Sequence, residues 1–152
     1  MDPYKTPTAD LTTETQKPYK PVKAVLYGLS ISIIITAIVS MVEGIGFGIA
    51  LGVNFDDQDA FESALANSTA FMVTDVFVST IVFYFAGRVV GKYVPGKELK
   101  YGIIVTVVTL AVYLPLLIDS DAFSSYPVWY NLLGLVVLLV VIPFGAISAA
   151  KN

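Results

Sequence analysis

Four apolar stretches, at 22–53, 69–94, 101–118 and 127–150, make up most of this chain and carry few charges. Water-facing surface cannot be built from such sequence, whereas lipid-facing surface requires it. The shortest stretch, 101–118, rises about 27 Å as a helix, enough to cross a hydrocarbon core of roughly 30 Å. The first is longer than one crossing needs, so it must tilt, kink or project beyond the lipid. No strand-like alternation is visible, and lipid cannot satisfy exposed backbone groups, so each stretch is read as a helix. The expected fold is an all-α integral membrane protein: four transmembrane helices in an antiparallel bundle over 22–152. Before it, residues 1–21 are polar and proline-containing, and are expected to form a disordered cytoplasmic tail. Composition agrees, with 56% hydrophobic and only 14% charged residues.

Turn chemistry separates the stretches. Asn54-Phe55-Asp56-Asp57 ends the first, and Asp56 or Asp57 is placed to cap a short helix through Asp59, Phe61, Ala64 and Leu65. Pro95-Gly96 breaks the second from the third. Ser124-Ser125 before Pro127 suit a helix start. Pro115 and Pro143 fall inside spans and are expected to kink them.

Charge sets the expected orientation. Lys5, Lys17, Lys20 and Lys23 precede the first span, Arg88, Lys92, Lys97 and Lys100 surround the second break, and Lys151 follows the fourth span. The first and third breaks carry no base but hold Asp56, Asp57, Asp59, Glu62, Asp119 and Asp121. Basic residues stay cytoplasmic during insertion, so both termini and the middle loop are expected inside. Tyr19, Tyr27, Tyr93 and Tyr101 then flank the inner boundary, and Phe123, Tyr126, Trp129 and Tyr130 the outer one. A cleaved signal peptide is not expected, since no short apolar region with a small-residue cleavage site lies near the start.

The stretch Asp2-Pro3-Tyr4-Lys5-Thr6-Pro7-Thr8-Ala9-Asp10-Leu11 resembles an N-terminal tail found on many small multi-pass inner-membrane proteins of Gram-negative bacteria. Asp2 stands where that pattern has Asn, and Thr6 where it has Ala. The tail occurs on otherwise unrelated membrane domains, so the resemblance implies a bacterial inner-membrane location and supplies no activity.

The chain has neither cysteine nor histidine. Disulfides, thiolate nucleophiles and the commonest general base and metal ligand are therefore excluded, leaving carboxylates, hydroxyls and lysines. The chain is read as a non-enzyme, with no cofactor and no metal. The acidic break at Asp56, Asp57, Asp59 and Glu62 lacks the calcium-loop pattern and reads as a solvated face. Gly87-Arg88-x-x-Gly91-Lys92 lacks a phosphate loop's spacing and reads as an anchor at anionic headgroups.

Two acids lie within spans. Glu43 is about 15 Å before Val53 along its helix and Asp75 about 10 Å after Ser68, so both are expected at similar depth. A charged carboxylate at mid-bilayer costs roughly 2.5–3.5 kcal/mol or more, so each should face the bundle interior or water. Ser32, Thr36, Ser40 and Glu43 form one helical stripe. Asp75 with Ser79, Gly102 with Thr106, Thr109 and Tyr113, and Asn131 with Gly134 and Gly145 form three more. The candidate intramembrane polar or ion site is Glu43, Asp75, Ser40, Ser79 and Asn131. Either these groups hold the bundle in register through hydrogen bonds, or the acids bind a proton or cation in a transport cycle. Gly44, Gly48 and Gly52 recur every four residues and are read as a helix-packing face within the chain or in a dimer, although they would also permit bending beside Glu43.

Two functions follow as expectations. The first is association, as an accessory or scaffolding subunit of a larger membrane system, with the lipid bilayer and a homo-oligomer or membrane complex as partners and no nucleic acid. The alternative is an oligomeric proton- or cation-coupled small transporter or channel using Glu43 and Asp75.

Overall fold

The computed structural model describes residues 19–119, the last four as backbone only, and 125–150. Most of the expected tail, together with Asp121, Phe123, Ser124 and Lys151, lies outside the described residues. Among the described residues all regular structure is helical: α1 (Pro21–Ala50), α2 (Gln58–Ala66), α3 (Thr69–Tyr93), α4 (Glu98–Asp119) and α5 (Val128–Ala149). α1, α3, α4 and α5 are long and apolar enough to cross a membrane.

Local chemistry fixes the ends. Pro21 opens α1, where its missing N–H is no loss. The apolar run reaches Val53, yet α1 stops at Ala50, because Gly52 takes φ +68°. The Gly52 N–H then donates to the Ile49 carbonyl at 3.1 Å and the Val53 N–H to that of Gly48 at 3.0 Å. This paired pattern closes a helix around a left-handed glycine. Asp57 caps α2, its carboxylate accepting from the Ala60 N–H at 3.0 Å. Ser68 caps α3 by accepting from the Phe71 N–H at 3.2 Å. Gly96, at φ +78°, turns the chain between α3 and α4. The Gly96 N–H donates to the Glu98 carboxylate at 2.8 Å, which starts α4 three residues before its apolar run. Both α4 and α5 remain helical through Pro115 and Pro143.

α1 is not uniform: Ser30–Ile35 forms a π-helical segment. Its first half packs on α3 and α4, whereas its second half meets mainly α3 and α2. α3 and α5 form the most extensive pairing, followed by α4 and α5. A Cβ on Gly87 would collide with the Ile142 carbonyl, one on Gly145 with that of Tyr84, and one on Gly91 with that of Ala146. Bare backbone is what lets α3 and α5 approach this closely, as small residues do between helices in lipid.

The interior is therefore uneven. Ala24, Val90, Val94, Val105, Ile142 and Ala146 are fully buried and close one end of the bundle. There the Lys20 N–H donates to the Tyr93 carbonyl at 2.7 Å, and the Tyr19 and Tyr101 hydroxyls lie 2.7 Å apart. The Lys97 ammonium sits 4.9 Å from the Tyr19 ring centroid. Near α2 a smaller cluster forms from Leu65, Phe71 and Met72, with Phe47, Phe61, Tyr126 and Tyr130 against it. Between these clusters the second half of α1 leaves space.

Candidate functional site

That space is a cavity of about 860 Å³. Helix α1 contributes Thr36, Ser40 and Gly44 to its wall, α3 Asp75 and Ser79, α4 Tyr113, and α5 Tyr130, Asn131 and Gly134. Phe61 and Glu62 of α2 line it at the end nearer the loops. Among the described residues no lysine or arginine lines it.

Asp75 is the best-held polar group in the wall. The Tyr130 hydroxyl donates to its Oδ2 at 2.7 Å, and the Ser40 hydroxyl to its Oδ1 at 3.3 Å. Two donors from two other helices orient the carboxylate. Glu43 follows Ser40 by three residues on α1, the helix that supplies one of the two Asp75 donors. Both Glu43 carboxylate oxygens are inaccessible and have no hydrogen-bond partner among the described residues. An inaccessible ionised group without a partner is costly in lipid, so it calls for a proton, a cation or a rearrangement.

Tyr126 and Tyr130 stack with ring centroids 5.1 Å apart at 32°. Burial raises the pKa of the Tyr126 phenol above its ordinary value, and the negative charges of Asp75 and then Glu62 push the same way. The cavity's Tyr126 side is thus both shielded and electronegative.

A separate buried polar contact joins α1 to α4. The Ser32 and Thr109 hydroxyl oxygens lie 2.8 Å apart, and the Tyr113 hydroxyl donates to the Ser32 carbonyl at 3.3 Å.

The five residues expected at an intramembrane site are placed as follows. Asp75, Ser40, Ser79 and Asn131 line one cavity, and Glu43 sits beside it on the helix that supplies Ser40 and Gly44. The Asn131 amide donates to the Tyr126 carbonyl at 3.4 Å. Tyr130, the strongest partner of Asp75, was expected only as a boundary aromatic. Its signal in sequence is its place four residues after Tyr126 and beside Asn131. Gly44 and Gly48 lie under α2: a Cβ on Gly48 would meet the Phe61 ring at 2.5 Å, and one on Gly44 would touch Leu65 at 3.8 Å. Gly52 serves the turn after α1, and a Cβ there would meet nothing within 4 Å. Among the described residues no group of three or more acidic side chains is gathered as for a metal ion.

Comparison of the chain with protein-family models, with curated proteins and with solved structures gives no match.

Proposed function

We propose that this chain is a small multi-pass protein of the bacterial inner membrane that couples movement of a proton or cation to the Glu43–Asp75 pair. In this reading the four long helices cross the membrane as an antiparallel bundle with both termini cytoplasmic. The segregation of Lys and Arg from the acidic loops supports that orientation, and the N-terminal tail pattern supports the compartment. The cavity and Glu43 then lie in the outer half.

One observation carries the transport reading: Asp75 stands in the wall of a large cavity where no lysine or arginine among the described residues neutralises it. A carboxylate needed only for bundle stability would gain by being enclosed with its donors. Asp75 instead keeps a wall position, and Glu43 beside it has no donor among the described residues. Such a pair is poised to exchange a proton for a positively charged solute.

Association with a second copy or a larger membrane system is the second reading. It is supported by Ile34, Ile38, Met41, Val42, Ile45 and Ile49 of α1, all left exposed where that helix diverges from the bundle. Lipid covers such a face equally well, which is why this reading comes second.

The test is flux in liposomes holding a trapped pH-sensitive dye and an imposed pH gradient. Inorganic cations and organic amines are added outside. Wild-type protein should speed collapse of the gradient with at least one solute, and Asp75→Asn should abolish that acceleration. Equal rates in wild type and Asp75→Asn for every solute would exclude coupling through this site. Recovery of the tagged protein from native membranes in stoichiometric complex with another protein would then support association.

A further inference from the structure

We infer that the occupant of the cavity is an amphipathic organic monocation, an amine or quaternary ammonium group carried on an apolar body, with its charge at Asp75 beside the stacked Tyr126 and Tyr130 rings. The inference names a ligand class for the site proposed above and so rests on that site, although it concerns binding and not flux.

Three features of the cavity select this class. The first is volume: about 860 Å³ belongs to the range of pockets that enclose small organic molecules and far exceeds the space a bare metal ion fills. The second is the oxygen supply. Both Asp75 oxygens already accept a hydrogen bond, from Ser40 and from Tyr130. A hard inorganic cation wants six or more oxygens closing around it. A bulky, weakly hydrated ammonium needs only the net negative charge and the tyrosine faces beside it. Third, most of the wall is apolar, with Phe61, Phe71, Phe83 and Leu138 reaching around one side. Water or a hydrated ion would leave these surfaces wet, whereas an apolar body covers them. Charge complementarity sets the sign of the ligand, since the site offers acids and no base.

The single tryptophan supplies a reporter. Trp129 neighbours Tyr130, with ring centroids 6.0 Å apart. Protein in nanodiscs of zwitterionic lipid is titrated with dodecyltrimethylammonium below its micellar concentration, and Trp129 fluorescence is read. The neutral probe is dodecanol and the inorganic probe is sodium ion. Saturable quenching is expected with the ammonium only. Asp75→Asn, nearly isosteric, should weaken it about tenfold or more, the scale of one lost charge contact. A second variant guards against a folding artefact. A Cβ on Gly134 would meet nothing within 4 Å, and Gly134 lines the cavity, so Gly134→Leu adds bulk at the wall from a position that accepts a side chain. That variant should remove saturable binding while leaving the thermal midpoint in place. Equal quenching by dodecanol, or unchanged affinity in both Asp75→Asn and Gly134→Leu, would overturn the inference. The two proposals fail separately. Ammonium binding without solute-driven flux overturns coupling alone, and flux driven by inorganic cations without ammonium binding overturns the ligand class alone.

Discussion

Ser32 of α1 and Thr109 of α4 hold their hydroxyl oxygens 2.8 Å apart with both side chains fully buried. Ser32 lies inside the π-helical segment Ser30–Ile35. A π turn widens the helix and loosens part of its backbone ladder, which is tolerated in lipid where neighbours satisfy the freed groups. Here α4 supplies them: Thr109 meets the Ser32 side chain, and Tyr113 donates to its carbonyl. Beyond that segment α1 packs little against α4, and the cavity opens. The π segment is thus where α1 changes from a packed helix to a cavity wall.

Thr109→Val keeps the shape of this contact and removes its hydroxyl. Interhelical hydrogen bonds in membranes contribute about 0.6 kcal/mol on average, and the buried Ser32 hydroxyl is left with only its 3.4 Å bond to the Leu29 carbonyl, so about 1 kcal/mol of destabilisation is expected. Thermal unfolding in mild detergent reads it. The double change Ser32→Ala with Thr109→Val should recover part of the loss, because no buried hydroxyl is then left with the long Leu29 contact alone. A midpoint unchanged by Thr109→Val would mean that the π segment does not depend on α4.

The α3–α5 crossing gives a sharper contrast. On Gly87 a Cβ would strike the Ile142 carbonyl, which is backbone and cannot rotate away. Gly87→Ala should therefore cost about 1–3 kcal/mol, as overpacking does. Gly46 of α1 is the control: a Cβ there meets nothing within 4 Å. Gly46→Ala should be neutral or slightly stabilising, since alanine is the better helix former. Similar thermal midpoints for the two variants would contradict the close approach of α3 and α5.

Glu43 separates a structural from a functional acid. Neither carboxylate oxygen has a hydrogen-bond partner among the described residues, so Glu43→Leu removes no bond. It should keep at least wild-type thermal stability in detergent, because replacing a buried polar group that lacks a partner is neutral or favourable. Glu43→Gln should leave folding and insertion intact and abolish solute-driven collapse of the pH gradient. Loss of stability in Glu43→Leu with full flux in Glu43→Gln would reverse the assignment and make Glu43 a structural group.

These contrasts also mark what could be read from the chain. The four long helices follow from apolar length alone, because lipid leaves the backbone no alternative. Asp75 and Ser40 were expected on facing stripes, and helical periodicity suffices for that. Tyr130 was not expected to reach Asp75, because a tyrosine at a span boundary has a ready explanation as an interface anchor. Gly87 and Gly91 were absorbed into a basic motif, although their four-residue spacing matches that of Gly44 and Gly48. Which glycine pair meets a backbone depends on which helices are neighbours, and spacing within one helix does not encode that. Nor does Ser30-Ile31-Ser32-Ile33-Ile34-Ile35 announce a π segment, since its bonding is sustained by Thr109 and Tyr113 from far along the chain.

The absence of cysteine allows a direct test of orientation. Lys97 follows the turn between α3 and α4, and Gln58 begins α2; both positions are exposed. Lys97→Cys and Gln58→Cys therefore each introduce one reactive thiol without touching the core. The positive-inside pattern places Lys97 in the cytoplasm and Gln58 outside. In intact spheroplasts a membrane-impermeant maleimide should label Gln58→Cys, and it should label Lys97→Cys only after lysis. The reverse pattern would invert the bundle and turn the cavity toward the cytoplasm. Labelling of both in intact cells would require an even number of crossings between them, against the single long helix α3 that joins the two positions.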